Sequence, residues 1–152
     1  MKLEPLMTLY AMIGESMPVG DGGVGNRTVA NVTGGHFEGP RLRGRVLDSG
    51  ADWVIVDSAG IGRIDVRIVL ATEDGANVYV SYQGLLEYND AILGAFGSGG
   101  STEFGDAIFL TQLRFETGHP DYAWLNRTLA VAEGRLRPGA VEYRVYQLVA
   151  GN

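Results

Sequence analysis

Two pairs of side chains stand out as possible chemistry. Asp65 and Arg67 lie in the segment 62–71, Gly-Arg-Ile-Asp-Val-Arg-Ile-Val-Leu-Ala, where Ile64, Val66, Ile68 and Leu70 alternate with polar residues. Arg114 and Glu116 lie in Arg114-Phe115-Glu116-Thr117. Residues two apart on a strand share a face, so each carboxylate stands beside a guanidinium. Inside a lumen such a pair supplies an acid or base, Asp65 or Glu116, and an anion stabiliser, Arg67 or Arg114. On a solvated face it is an ordinary surface pair worth about 0–1 kcal/mol. Tyr122, Trp124, Asn126 and Thr128 share one face of the β-rich run 122–132. With Trp53 and Tyr79 they form a candidate substrate-binding wall, in which the aromatics shape the pocket and Asn126 orients the ligand.

Other equipment is missing. The chain has no cysteine, which removes disulfides, thiolate metal sites and a thiol nucleophile. Its two histidines, His36 and His119, are far apart. His119 sits in a His-Pro turn and reads as a surface residue, and His36 opens a strand and reads as solvent-facing. No Gly-X-Gly-X-X-Gly follows a predicted strand, and no Walker loop or His-Glu-X-X-His occurs. The expectation is no metal, no cofactor and no Ser-His-Asp triad.

The chain of 152 residues carries a net charge of −6 and a pI near 4.8. This length fits one domain, residues 1–152, with a sizeable core. An acidic domain lacks the footprint for a phosphate backbone, so nucleic acid is not an expected partner. Arg41, Arg43 and Arg45 share one strand face, read as a solvated face, with an anion-recognising patch as the alternative. No apolar run reaches the roughly 20 residues of a membrane helix, and the N-terminal Met-Lys-Leu-Glu-Pro lacks an export h-region. A cytoplasmic location without membrane association is expected, and the Asn-X-Thr sequons at Asn26, Asn31 and Asn126 then read as chance matches.

The elements that must position these residues read as β throughout. Strands are predicted over 5–14, 26–33, 36–47, 52–57, 62–71, 77–83, 107–117, 122–132 and 140–149. Segment 15–25, with Pro18 and four glycines, reads as a flexible loop able to cover a pocket mouth. Gly34-Gly35 reads as a turn. Asp74-Gly75 centres a hairpin between 62–71 and 77–83. Leu85, Leu86, Ile92, Leu93 and Phe96 fit one short amphipathic helix over 85–96. Short connections without βαβ alternation imply antiparallel pairing. The 23 scattered glycines suit turns and bulges between strands. The predicted class is mainly β, an antiparallel barrel, closed or nearly closed, of about eight strands, because closure removes sheet edges. A two-sheet sandwich is the alternative. Apolar outer strand faces make a homo-oligomer the expected assembly.

Three blocks, taken together, resemble the DUF3237 or UPF0311 family. They are Gly34-Gly35-His36-Phe37-Glu38-Gly39-Pro40 through Leu42-Arg43-Gly44 to Gly50-Ala51-Asp52-Trp53, Asp74-Gly75-Ala76 with Val78-Tyr79-Val80, and Arg114-Phe115-Glu116-Thr117 followed by Tyr122-Ala123-Trp124-Leu125-Asn126-Arg127. The likeness runs from about residue 5 to 149. Residues 108–113, Ile-Phe-Leu-Thr-Gln-Leu, depart from the family's Tyr-Phe pair and nearby Arg, leaving a more apolar wall. The resemblance implies a compact barrel similar to allene oxide cyclase and dirigent barrels, which hold apolar or aromatic molecules without a cofactor. By that fold analogy the expected activity is a cofactor-independent isomerase, cyclase or lyase acting on a hydrophobic or aromatic small molecule in the lumen. A non-catalytic binding barrel and a scaffold with a filled core are the alternatives.

Overall fold

The computed structural model describes residues 1–151. Nine antiparallel strands form one sheet that closes on itself. They are β1 (Lys2–Asp21), β2 (Asn26–Glu38), β3 (Arg43–Val46), β4 (Gly50–Val56), β5 (Ile61–Thr72), β6 (Asn77–Glu87), β7 (Phe109–Glu116), β8 (Leu129–Arg137) and β9 (Ala140–Val149). The order β1-β9-β8-β7-β6-β5 continues through β3 and β4 to β2, which pairs back with β1. β3 and β4 share one position end to end: both pair with β2 on one side and β5 on the other. The ring is therefore eight strands around, as the glycine and strand pattern implied.

Alternation sets the inside. Ile64, Val66, Ile68 and Leu70 of β5 and Val78, Val80 and Tyr82 of β6 are buried. So are Leu113 and Phe115 of β7 and Tyr143 and Val145 of β9. This is the period-2 signature of strands with one face on a core. β1 is long because it serves two neighbours, pairing with β9 over its first half and with β2 over Thr8–Asp21.

Several element boundaries differ from the expectations, each for a physical reason. Segment 15–25 is mostly strand: β1 runs to Asp21 and β2 resumes at Asn26, because this stretch pairs across a hairpin whose turn is 22–25. Gly34-Gly35 does not turn the chain. β2 passes straight through it at a register shift, with Gly35 at φ 127° and its Cα so close to β1 that a Cβ would meet the Tyr10 carbonyl oxygen. Leu85 and Leu86 belong to β6, held by pairing with Leu110 and Phe109. The helix α1 (Asp90–Ser98) begins later, where Asn89 accepts a hydrogen bond from the Ile92 N–H at 3.1 Å, and it ends on left-handed Gly99.

The predicted strand 122–132 is also corrected. Pro120–Arg127 forms a 3₁₀ helix, η1, and β8 starts only at Leu129. Pro120 presets the first turn, and His119 Nδ1 accepts from the Asp121 N–H at 3.2 Å. The threefold period places Tyr122 and Leu125 together against the barrel, Leu125 at 0% exposure. η1 closes one end of the barrel as a floor, together with Leu42, Leu70, Val78 and Phe115. The other end, ringed by the turns 22–25, 57–60 and 138–139 and by α1, is open.

Candidate functional site

At the open end lies a cleft of about 950 Å³. Its walls are Ile13 of β1, Val54 and Val56 of β4, Ile64 of β5, Leu86 of β6, Phe109 of β7, Leu136 of β8 and Val141 and Tyr143 of β9. Tyr88, Leu93 and Phe96 reach over its mouth, with the Tyr88 and Phe96 rings stacked at 5.8 Å. At its base the Tyr143 ring makes edge contacts with Phe109 and Tyr82, each at 5.4 Å. These rings have room because residue 134 is glycine: a Cβ there would come within 2.9 Å of both Phe109 and Tyr143.

Three aspartates line the cleft, Asp21 and Asp57 at its rim and Asp52 on the apolar wall. Asp52 faces inward from β4, in step with Val54 and Val56. The β4–β5 pairing is interrupted between Asp52–Val66 and Ile55–Arg63. The Asp65 N–H in that gap donates to Asp52 Oδ1 at 3.1 Å, while the Trp53 carbonyl accepts from Arg27 at 2.6 Å. Burial raises the Asp52 carboxyl from 3.8 to about 6; the Asp65 N–H works against the rise and the Asp65 charge adds to it. Burial likewise holds the Tyr82 and Tyr143 hydroxyls, and to a lesser degree Tyr88, above the usual phenol range, and the Asp52 charge adds to each. The site thus offers a carboxyl that titrates near neutral pH beside phenols that stay protonated, in a largely apolar cleft. Among the described residues no group of three or more His, Cys, Asp or Glu is arranged to hold a metal ion.

The sequence-predicted residues lie elsewhere. Asp65 and Arg67 point outward, because Ile64 and Val66 take the inner face of β5; they pair at 3.3 Å with side chains 34% and 53% exposed. Arg114 and Glu116 are likewise exposed, because Leu113 and Phe115 face inward on β7. Trp53 is on the outer face of β4, with the Arg67 guanidinium 5.3 Å from its ring. The expected lumen position of these side chains is corrected by strand parity. Tyr79, Arg114, Glu116, Asn126 and Thr128 do come together, but in a groove on the outer wall. Tyr122 belongs to the floor, its hydroxyl donating to both Asp74 oxygens at 2.8 and 3.0 Å. Asn126 bridges the Thr117 N–H and carbonyl, and Thr128 donates to the Trp124 carbonyl. Trp124 packs beside the core under the Arg41 guanidinium, 3.6 Å from its ring centre. Of the other arginines in that trio, Arg43 pairs with Glu73 at 3.3 Å.

Asp52 was missed because its strand, Asp52-Trp53-Val54-Ile55-Val56, is apolar on both faces. Its one available signal was an acid in register with Val54 and Val56.

The family model described as "Protein of unknown function (DUF3237)" matches residues 1–148. A UPF0311 protein of Rhodopseudomonas palustris is 31% identical over 144 residues, which cover 95% of this chain and 94% of that one. The PR-toxin biosynthesis cluster protein 7 of Penicillium roqueforti is 28% identical over 126 residues, 69% of this chain and 67% of that one. Among solved structures, a β-barrel-like protein of Acinetobacter baumannii matches with TM-score 0.83 and 36% identity, covering 97% of this chain and 96% of that one. An enzyme from Penicillium herquei shares the fold, with TM-score 0.73 and 22% identity, over 97% of this chain and 94% of that one.

Proposed function

The chain belongs to the DUF3237 family, and from the geometry of its open end we propose a cofactor-independent enzyme of isomerase, cyclase or lyase type. Its substrate is an apolar or aromatic small molecule held in the cleft beside Asp52. The observation that carries this reading is the position of Asp52, a half-buried carboxyl on an apolar wall, raised to about 6 by that burial. A carboxyl in that range has both protonation states available near neutral pH, which suits an acid–base group that takes a proton at one substrate atom and returns it at another. Such a shift balances without an external oxidant or reductant. The Asp65 N–H orients the carboxyl through Oδ1. The Tyr143 hydroxyl, held protonated at the cleft base, is the donor for a substrate oxygen that gains charge as the proton leaves carbon. Apolar walls exclude water around that step. The acid–base role expected of Asp65 or Glu116 passes to Asp52, since both of those side chains stand on the outer wall.

Support of a coarser kind comes from relatives. One is named for a toxin biosynthesis cluster, and a barrel of the same fold is an enzyme.

The test is solvent proton exchange. A panel of aryl ketones and phenols is incubated with the protein in D₂O, and deuterium uptake is followed by mass spectrometry. Uptake or conversion is expected with the wild type and should fall at least about 100-fold in Asp52→Asn. Ligands that occupy the cleft yet show no Asp52-dependent exchange or conversion would instead make the protein a binding barrel.

A further inference from the structure

Charge is distributed unevenly around this cleft. Among the described residues its lining includes Asp21, Asp52 and Asp57 but no Lys, Arg or His. The two rim aspartates are committed to their own turns. Asp57 accepts from the Ala59 and Ile61 N–H groups and from Arg63, and Asp21 accepts from the Gly23 N–H. Asp52 is different. Its Oδ1 takes the Asp65 N–H, and among the described residues no donor hydrogen-bonds Oδ2 and no cation pairs with the carboxylate. The arginines of the neighbouring strands are turned outward: Arg67 pairs with Asp65, Arg63 with Asp57, and Arg27 donates to the Trp53 carbonyl. The same cleft is lined by aromatic rings, those of Phe109 and Tyr143 and the stacked pair Tyr88 and Phe96.

A lone carboxylate in a cleft lined by aromatic rings, with no basic group among the lining residues, is the recognition chemistry of an organic cation. We infer that the ligand of this cleft carries a positive charge, as an apolar or aromatic ammonium whose charged centre sits between Asp52 and the rings. The inference rests on the reading of the cleft as the substrate site and adds the substrate's sign. It excludes carboxylates, phosphates and phosphate-bearing carriers, for which the cleft has no counter-charge and to which Asp52 is repulsive. The mouth fits the same ligand. Leu93 and Phe96 are 54% and 53% exposed there, offering apolar surface for the ligand's skeleton.

The experiment compares three probes of similar shape and different charge: phenyltrimethylammonium, tert-butylbenzene and 4-tert-butylbenzoate. Each is titrated at pH 8 against wild type, Asp52→Asn and Phe96→Leu, with amide shifts of cleft residues followed by NMR. The wild type should bind the ammonium at least about tenfold more tightly than its neutral isostere, and the benzoate should be the weakest of the three. In Asp52→Asn the two affinities should converge. Phe96→Leu, an exposed position that leaves the core untouched, should weaken the ammonium by about threefold and the neutral probe by less. Equal or tighter binding of tert-butylbenzene by the wild type, or a cation preference that survives in Asp52→Asn, overturns the charge inference while leaving the cleft as an apolar site. Shifts confined to residues outside the cleft, or none with any probe, overturn the site reading and the charge inference together.

Discussion

Asp52→Asn should stabilise the fold at alkaline pH and leave it nearly unchanged in acid. The carboxyl lies at about 6 in the folded chain against an ordinary value of 3.8. At about 1.4 kcal/mol for each tenfold change in proton affinity, that displacement costs the folded state about 3 kcal/mol once the carboxyl is ionised. The sign follows from the raised value. Below pH 3.8 the group is protonated in both states and carries no penalty. Between pH 3.8 and 6 the unfolded chain ionises first, so stability falls as pH rises, and above pH 6 the full cost is present. Asparagine keeps the oxygen that accepts the Asp65 N–H and removes the charge. The variant should therefore gain up to about 3 kcal/mol at pH 8 relative to wild type, a rise of roughly 6–12 °C in Tm, and little at pH 4. Parallel urea and thermal denaturation of both proteins at pH 4, 6 and 8 measures the difference. An effect of the same size at all three pH values, or a greater loss of stability at pH 8 than at pH 4, would refute the account of Asp52 as a desolvated, unpaired carboxyl.

Three further outcomes follow from the same structure. Leu125→Ala removes the fully buried anchor of η1 and should cost about 2–5 kcal/mol by urea denaturation; a cost under about 1 kcal/mol would show that η1 is not the barrel floor. Gly35→Ala forces a Cβ into the Tyr10 carbonyl at a φ of 127° and should cost at least about 2 kcal/mol, with the β1–β2 amides losing hydrogen-exchange protection first. Tyr143→Phe should leave the fold's far-UV signature intact and lower Asp52-dependent deuterium exchange by about 10–100-fold, and an unchanged rate would remove the hydroxyl from the proposed chemistry.

Much of the architecture was legible in the chain. The alternation of Ile64, Val66, Ile68 and Leu70 identified β5 but not which of its two faces turns inward. The Asp74-Gly75 hairpin joined it to β6, and the absence of long crossovers required antiparallel pairing. The absence of cysteine rules out thiolate metal sites and a thiol nucleophile. Where local patterns were ambiguous, pairing partners decided. Tyr122-Ala123-Trp124-Leu125 is as good a strand sequence as a helical one, and the barrel's need for a floor turned it into η1. Leu85 and Leu86 fit a helix face until β7 offered them a ladder.

The candidate site shows the same division more sharply. Asp65 and Glu116 drew attention because a carboxylate beside an arginine is visible in one dimension, but parity put both outside. Residues 52–56 carry apolar side chains on both faces, so the chain alone assigns Asp52 to neither. Its inward turn, the interrupted ladder that hands it the Asp65 N–H, and the rings of Tyr88, Phe96, Phe109 and Tyr143 around the same cleft depend on residues from six different segments. The β class was readable along the chain, because composition and period are local properties. Only ring closure decided which carboxyl is desolvated, because burial depends on which strands close around a residue and no window of sequence contains them.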